Sequence, residues 1–203
     1  MKRRTFDTLA SAGGAVLAVV LLVAGALLMW GYTFANSTVH DQLAQQQVYF
    51  PTTAAIQSAP ASSTEIPPSI KQYLLPYAGQ QVLTGPQAET YANHFIAVHL
   101  YAMPYHGVYA NVSAASMSAP KGSVQATTLA NEANTVFKGT TLRSMLLEAY
   151  GFWTFGQIAM WAGIASFCLA FVMVVLVGLG IWHERRTPAE VELLNPKAAH
   201  LAA

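Results

Sequence analysis

Charge is scarce in this chain. Only 9% of its 203 residues are charged and the net charge is +1, whereas soluble domains carry about 25% charged residues. With so few lysines and arginines there is no basic stripe to neutralise a phosphate backbone, so nucleic acid is not an expected partner. Cysteine is limited to Cys168. That excludes an internal disulfide and any paired-cysteine zinc site. The motifs of nucleophilic, phosphate-binding, dinucleotide-binding, zinc-protease and haem chemistry are all missing. Valine and isoleucine are sparse between residues 35 and 154, and no alternating strand pattern runs through that stretch.

What the chain has is two long neutral apolar runs. One extends from Leu9 to Phe34 and contains "AVLAVVLLVAGALLMW"; the other extends from Phe155 to Trp182. About 20 apolar residues cross the ~30 Å hydrocarbon layer as a helix, whereas a buried soluble helix needs only ~10–14. Lys2, Arg3 and Arg4 precede the first run, and Arg185 and Arg186 follow the second. Positive flanks stay cytoplasmic. Trp30, Tyr32 and Phe34 at one edge, with Tyr150, Phe152, Trp153 and Phe155 at the other, suit the outer interface. "TFA" before Asn36 loosely fits a signal-peptidase site, but the apolar stretch exceeds the ~7–15 residues of a signal core. An uncleaved signal-anchor is therefore expected.

The expected architecture is an all-α, multi-pass plasma-membrane protein with both termini cytoplasmic. Residues 1–8 form a cytoplasmic N-terminus and 9–34 the first transmembrane helix. Residues 35–154 form a small helical extracytoplasmic domain, interrupted by a Pro/Ser/Ala-rich loop at 51–68. Residues 155–182 form the second transmembrane helix, continuous with a long outside helix beginning near Thr141. Residues 183–203 form a cytoplasmic tail with a short helical turn at 189–194.

Small residues recur at helical spacing in both spans. Gly14, Ala18, Leu22 and Ala26 lie four apart, as do Ala159 with Gly163, and Ala162, Ser166 and Ala170. Such spacing lets helix backbones approach closely. Gly14, Ala18, Ala159, Gly163 and Ser166 are thus candidate helix-packing residues, joining the spans to each other, to a second copy or to another membrane protein.

In the intervening stretch the first helix is expected to continue to about Gln47, with Pro51 stopping it. A short helix follows "PPS" and stops by Gly79. The clearest outside helix is "LTGPQAETYANHFIAVHLYAMP". Thr84 and Gln87 form a capping box, Pro86 suits the first turn, and Pro104 ends it. At 100° per residue Ala88, Tyr91, Phe95, Val98, His99 and Ala102 share one face. A further short helix is expected before Pro120. Another should close at Gly139, with Thr140 or Thr141 capping the next.

Three of the six histidines, His94, His99 and His106, fall in or just after that clearest helix. On an α-helix His94 and His99 diverge by about 140°, so they do not chelate one ion. His99 and His106 are the remaining candidate metal ligands. No carboxylate flanks them at ligand spacing, so no cofactor is expected and a metal-dependent enzyme is the least favoured reading. Asn111-Val112-Ser113 fits the N-glycosylation pattern.

The segments "MKRRTFDTLASAGGAVLAVVLLVAGALLMWGYTFAN", "VHDQLAQQQVYFP", "AETYANHFIAVHL" and "AYGFWTFGQIAMWAGIASF" resemble a family of two-span membrane proteins of actinobacteria. The resemblance covers most of the chain outside the Pro/Ser/Ala loop and the tail. It implies a plasma-membrane location with the helical segment facing the cell wall, and no activity. Members are sometimes labelled aromatic ring-opening dioxygenase, a chemistry that needs iron on a histidine and carboxylate set which this chain does not show.

Two functional expectations follow. The first is a non-enzymatic accessory, scaffold or interaction subunit whose partners are the lipid bilayer and another membrane protein or itself. The second is an extracytoplasmic sensor or binder of a lipid or small hydrophobic ligand, with Tyr73, Tyr77, Tyr91, Phe95, Tyr101, Tyr105 and Tyr109 as apolar surface or as core.

Overall fold

The structure, a computed structural model, describes residues 3–186; the turn expected at 189–194 lies outside the described residues. Among the described residues the regular elements are helical and no strand occurs. They are α1 (Arg3–Gln46), α2 (Thr53–Ser58), α3 (Pro68–Leu74), α4 (Gly85–Thr90), a π-helical turn (Tyr91–Ile96), α5 (Ala97–Ala102), α6 (Tyr109–Ser118) and α7 (Val124–Arg186), with short 3-10 turns at Leu75–Tyr77 and Pro104–Gly107. The chain divides into two units. One joins α1 up to Thr33 with α7 from Gln157 onward, and the other is Phe34–Gly156.

The first unit is a pair of apolar helices. Each is long and apolar enough to cross a membrane, yet only 11% of its most apolar stretch is buried. A core helix of a soluble protein buries most of its surface; here Val16, Leu27, Leu169 and Phe171 are exposed. Only a narrow seam is covered. On α1 it runs through Ser11, Gly14, Ala18, Leu21, Gly25 and Leu28, and on α7 through Gly163, Ser166, Ala170, Met173, Val177 and Gly180. The steps alternate three and four, the 3.5-residue period of a left-handed helix pair.

Glycine matters here because a side chain would occupy the partner's place. A Cβ on Gly14 would lie 2.8 Å from Val177, and one on Gly25 would lie 2.9 Å from the Phe167 ring. Gly163 faces Leu28 and Met29. Contact positions fall along α7 as they rise along α1, so the pair is antiparallel. The strict four-residue stripes leave the seam, because each step of four advances about 40° around a helix. Leu22, Ala26 and Ala162 are accordingly exposed, while Ala159 is half-buried.

The Ser166 hydroxyl donates to the Leu21 carbonyl across the seam at 2.8 Å. Replacing Ser166 with alanine is expected to lower the stability of the helix pair by about 0.6 kcal/mol. Denaturant titration in mild detergent reads this, and an unchanged or raised midpoint would show that the bond contributes nothing.

The second unit begins where α1 continues past Phe34. Its last turn is closed by Gln47 in the left-handed region, φ 52°, and the chain then reverses beside residues 79–82. Val82 N–H donates to the Val48 carbonyl and Phe50 N–H to the Gln80 carbonyl, each at 2.9 Å. The Pro/Ser/Ala run, expected as a loop, contains α2. Thr52 Oγ1 accepts from Ala55 N–H at its start, and Lys71 Nζ donates to the Ala59 carbonyl at 2.7 Å beyond its end. Ile56 and Ile66, spaced through otherwise polar and small residues, are its buried anchors.

The Thr84–Gln87 capping box is present with both bonds. Gln87 is buried and its carbonyl oxygen accepts from both Leu83 and Thr84 N–H. Beyond Thr90 the helix widens into the π turn; Ala88, Tyr91, Phe95 and Val98 of the expected face still pack on the core, but the most deeply buried line shifts. The buried residues are Ala88, Ala92 and Ile96, with Leu100 packed beside them, while Ala102 is exposed. Steps of four stay on one face only when the turn holds more than 3.6 residues, as a π turn does.

The helices expected to break at Gly139 are one. α7 passes through without interruption, and Thr141 Oγ1 donates back to the Phe137 carbonyl at 2.8 Å instead of capping. A Cβ on Gly139 would meet Leu100 Cδ2 at 2.8 Å, so this glycine admits a neighbour and ends nothing. Leu100 thereby links the main core, built on Ile56, Leu74, Val82 and Ala88, to a smaller one of Val112, Ala133 and Val136.

Candidate functional site

The three clustered histidines do separate things. His94 stacks on Tyr73 with ring centroids 3.7 Å apart and planes at 5°. His99, half-buried, has Nδ1 at 2.7 Å from the Phe95 carbonyl. A carbonyl only accepts, so Nδ1 carries the proton, and Nε2 is an acceptor in the neutral ring. Its ring also lies against Phe95, centroids 4.5 Å apart. His106, exposed, stacks on Tyr101 at 4.5 Å. Among the described residues, no group of three or more His, Cys, Asp or Glu side chains is placed to hold a metal ion.

Of the expected aromatic set, Tyr77, Tyr91 and Phe95 pack against the main core. Phe50 meets both Tyr77 and Tyr91 with centroids 5.3 Å apart, and Tyr91 packs on Phe95 at 4.8 Å. Burial pushes the Tyr91 phenol above its ordinary value of 10.0, because the ionised form loses its water. Tyr101, Tyr105 and Tyr109, by contrast, are exposed.

One polar chain had no sequence signature. Asn93 Nδ2 donates to Glu89 Oε1 at 2.7 Å, and Arg143 Nη2 donates to Asn93 Oδ1 at 2.8 Å. Arg143 Nε is buried without a partner. The i, i+4 spacing of Glu89 and Asn93 hints at half of this chain, but Arg143 comes from a distant helix. It joins the π turn to α7.

No protein-family model, curated protein or solved structure matches this chain. A functional reading therefore rests on its own surfaces.

One of these is a groove in the second unit, about 410 Å³, between the end of α1 and the middle of α7. That volume lies at the lower end of the ~300–1,000 Å³ found for small-molecule sites. Val39, Leu43 and Leu146, all buried, form its floor. Met145 and Phe152, 60% and 40% exposed, form its lip. Thr38, Gln42 and Gln46 recur every fourth residue along one wall, and Glu148 is its only ionisable group. Leu142, Met145, Leu146, Ala149 and Trp153 share one face of α7 at 100° per residue; Met145 on it is groove surface, while Trp153 packs against the core. Sequence periodicity marks these positions as apolar and has no means to show that they face a cleft.

Proposed function

We propose that this protein is a non-enzymatic integral membrane protein, with residues 9–34 and 155–182 spanning the plasma membrane, both termini in the cytoplasm, and residues 35–154 outside as an accessory or interaction module. The observation that carries the reading is the pair of neutral helices whose apolar side chains face outward along nearly their whole length. Water would penalise that much exposed aliphatic surface, while hydrocarbon does not. The positive residues that precede the first run and those that follow the second support the orientation. The small residues Gly14, Ala18, Gly163 and Ser166 lie in the seam between the chain's own helices, so a partner would meet other surfaces of the pair or the outer module.

The test uses a chain with Cys168 replaced by serine and one new cysteine at a time. Ser62→Cys is expected to react with a membrane-impermeant maleimide on intact cells. Thr5→Cys is expected to react only after permeabilisation. The reverse pattern, or recovery of the chain in the soluble fraction, would end this reading. The accessory role is checked by purification in mild detergent at native expression, where a strictly solitary monomer counts against it.

A second reading, a binder of a lipid or small hydrophobic ligand, is favoured by the groove lined with Val39, Leu43, Leu146 and Phe152.

A further inference from the structure

We infer that this groove holds one acyl chain of a bilayer lipid whose head group is net neutral and carries an ammonium. The inference rests on the membrane reading above and deepens the second one.

Shape sets the tail. Along α7 the groove runs from Leu142 to Phe152, about 15 Å at ~1.5 Å per residue, which matches a medium-length stretch of extended alkyl chain. Its floor is aliphatic and fully covered, and only Met145 and Phe152 present large exposed apolar surface at the lip. Dispersion contacts across an apolar channel need apolar atoms on both sides. A flexible chain of methylenes restores them without demanding any hydrogen bond from the floor.

Charge sets the head. The lining includes the Glu148 carboxylate and the amides of Gln42 and Gln46, and no lysine, arginine or histidine. An anionic head group would find no counter-charge and would face a carboxylate. An ammonium finds Glu148, with amide and hydroxyl oxygens of Gln42, Gln46 and Thr38 along the other wall.

Chain order sets the source. Phe34, the last residue of the first run assigned to the hydrocarbon, meets Phe152, three residues before the second, edge-to-face with centroids 6.3 Å apart. The lipid therefore comes from the leaflet into which those runs open, and not from solution.

The experiment uses the full chain in phosphatidylcholine nanodiscs. Each sample contains a trace of phosphatidylethanolamine or phosphatidylglycerol bearing the same mid-chain diazirine. Photolysis and peptide mapping are expected to place adducts on residues 38–48 and 142–152 as well as on the two apolar runs. Capture in the groove is expected to favour the ethanolamine probe about fivefold, as ~1 kcal/mol of pairing at a water-exposed carboxylate gives. Ala149→Trp fills the groove and should remove those adducts while leaving the ones on the runs. Glu148→Gln, at an exposed position, should bring the two probes level without loss of total labelling. Adducts confined to the apolar runs would overturn the site. Equal capture of both probes by the unaltered protein would overturn the head-group assignment. No adducts even on the runs would instead overturn the membrane reading itself.

Discussion

Replacing Ile56 with alanine is expected to destabilise the Phe34–Gly156 unit by about 3 kcal/mol, within the 2–5 kcal/mol typical of truncating a fully buried aliphatic side chain. Ile56 has 0% exposure and belongs to the main core with Leu74 and Val82. It sits on α2, only six residues long. A helix that short has no stability of its own, so nearly all of its order derives from this one side chain, the Thr52 cap and the Lys71 bonds to the Gln57 and Ala59 carbonyls. Thermal or denaturant unfolding in mild detergent measures the loss. Ala61→Ser, exposed in the same run, should stay within about 0.5 kcal/mol of the parent. If Ile56→Ala proved equally silent, the Pro/Ser/Ala run would not be part of the core.

Gly107→Ala is expected to cost about 3–4 kcal/mol through two separable causes. Tyr105, His106 and Gly107 are consecutive left-handed residues, with φ of 55°, 53° and 66°. An L-residue in that region costs roughly 1–2 kcal/mol. In addition, a Cβ at Gly107 would collide with the Leu100 carbonyl oxygen and lie 2.8 Å from its carbon. Backbone cannot rotate aside as a side-chain tip does, and overpacking of this kind adds ~1–3 kcal/mol. Relief would displace Leu100 from Gly139 and loosen Val112 and Val136. Amide hydrogen exchange should therefore accelerate in α6 and in the facing part of α7. Gly79→Ala separates the causes: its φ is +72° with nothing within 4 Å, so it should cost only about 1 kcal/mol. If both substitutions had the same effect, the contact with Leu100 would be irrelevant.

These two sites mark where reading along the chain succeeds and where it stops. The Thr84–Gln87 capping box, the end of the first helix near Gln47, the stop at Gly79 and the helix before Pro120 are each written in a few adjacent residues, and each is present. The run from Pro51 to Pro68 reads as loop because its composition is polar and small. Its helix depends on a pocket for Ile56 made by residues far along the chain. Gly139 reads as a stop because glycine beside lysine commonly ends a helix. Leu100 is what it admits, and nothing near Gly139 announces that neighbour. The expected face of the histidine helix holds at Ala88, Tyr91, Phe95 and Val98 but not at Ala102, because an assumed 100° step cannot foresee a π turn, which rotates every later residue. The groove was legible only as apolar residues at helical spacing, and the Arg143 link to Asn93 was not legible at all.

Taken alone, the sequence determined the helical class and the two long apolar helices, because backbone hydrogen bonding, proline and glycine punctuation, and the length of neutral runs are local properties. It also determined that few groups could perform acid–base or metal chemistry. Only the tertiary structure decided which small residues form the seam, where α7 begins, how the histidines are spent, and that Val39, Leu43 and Leu146 floor a cleft. Those outcomes depend on which distant surfaces meet, and close packing between helices is settled by shape complementarity that no single stretch of chain contains.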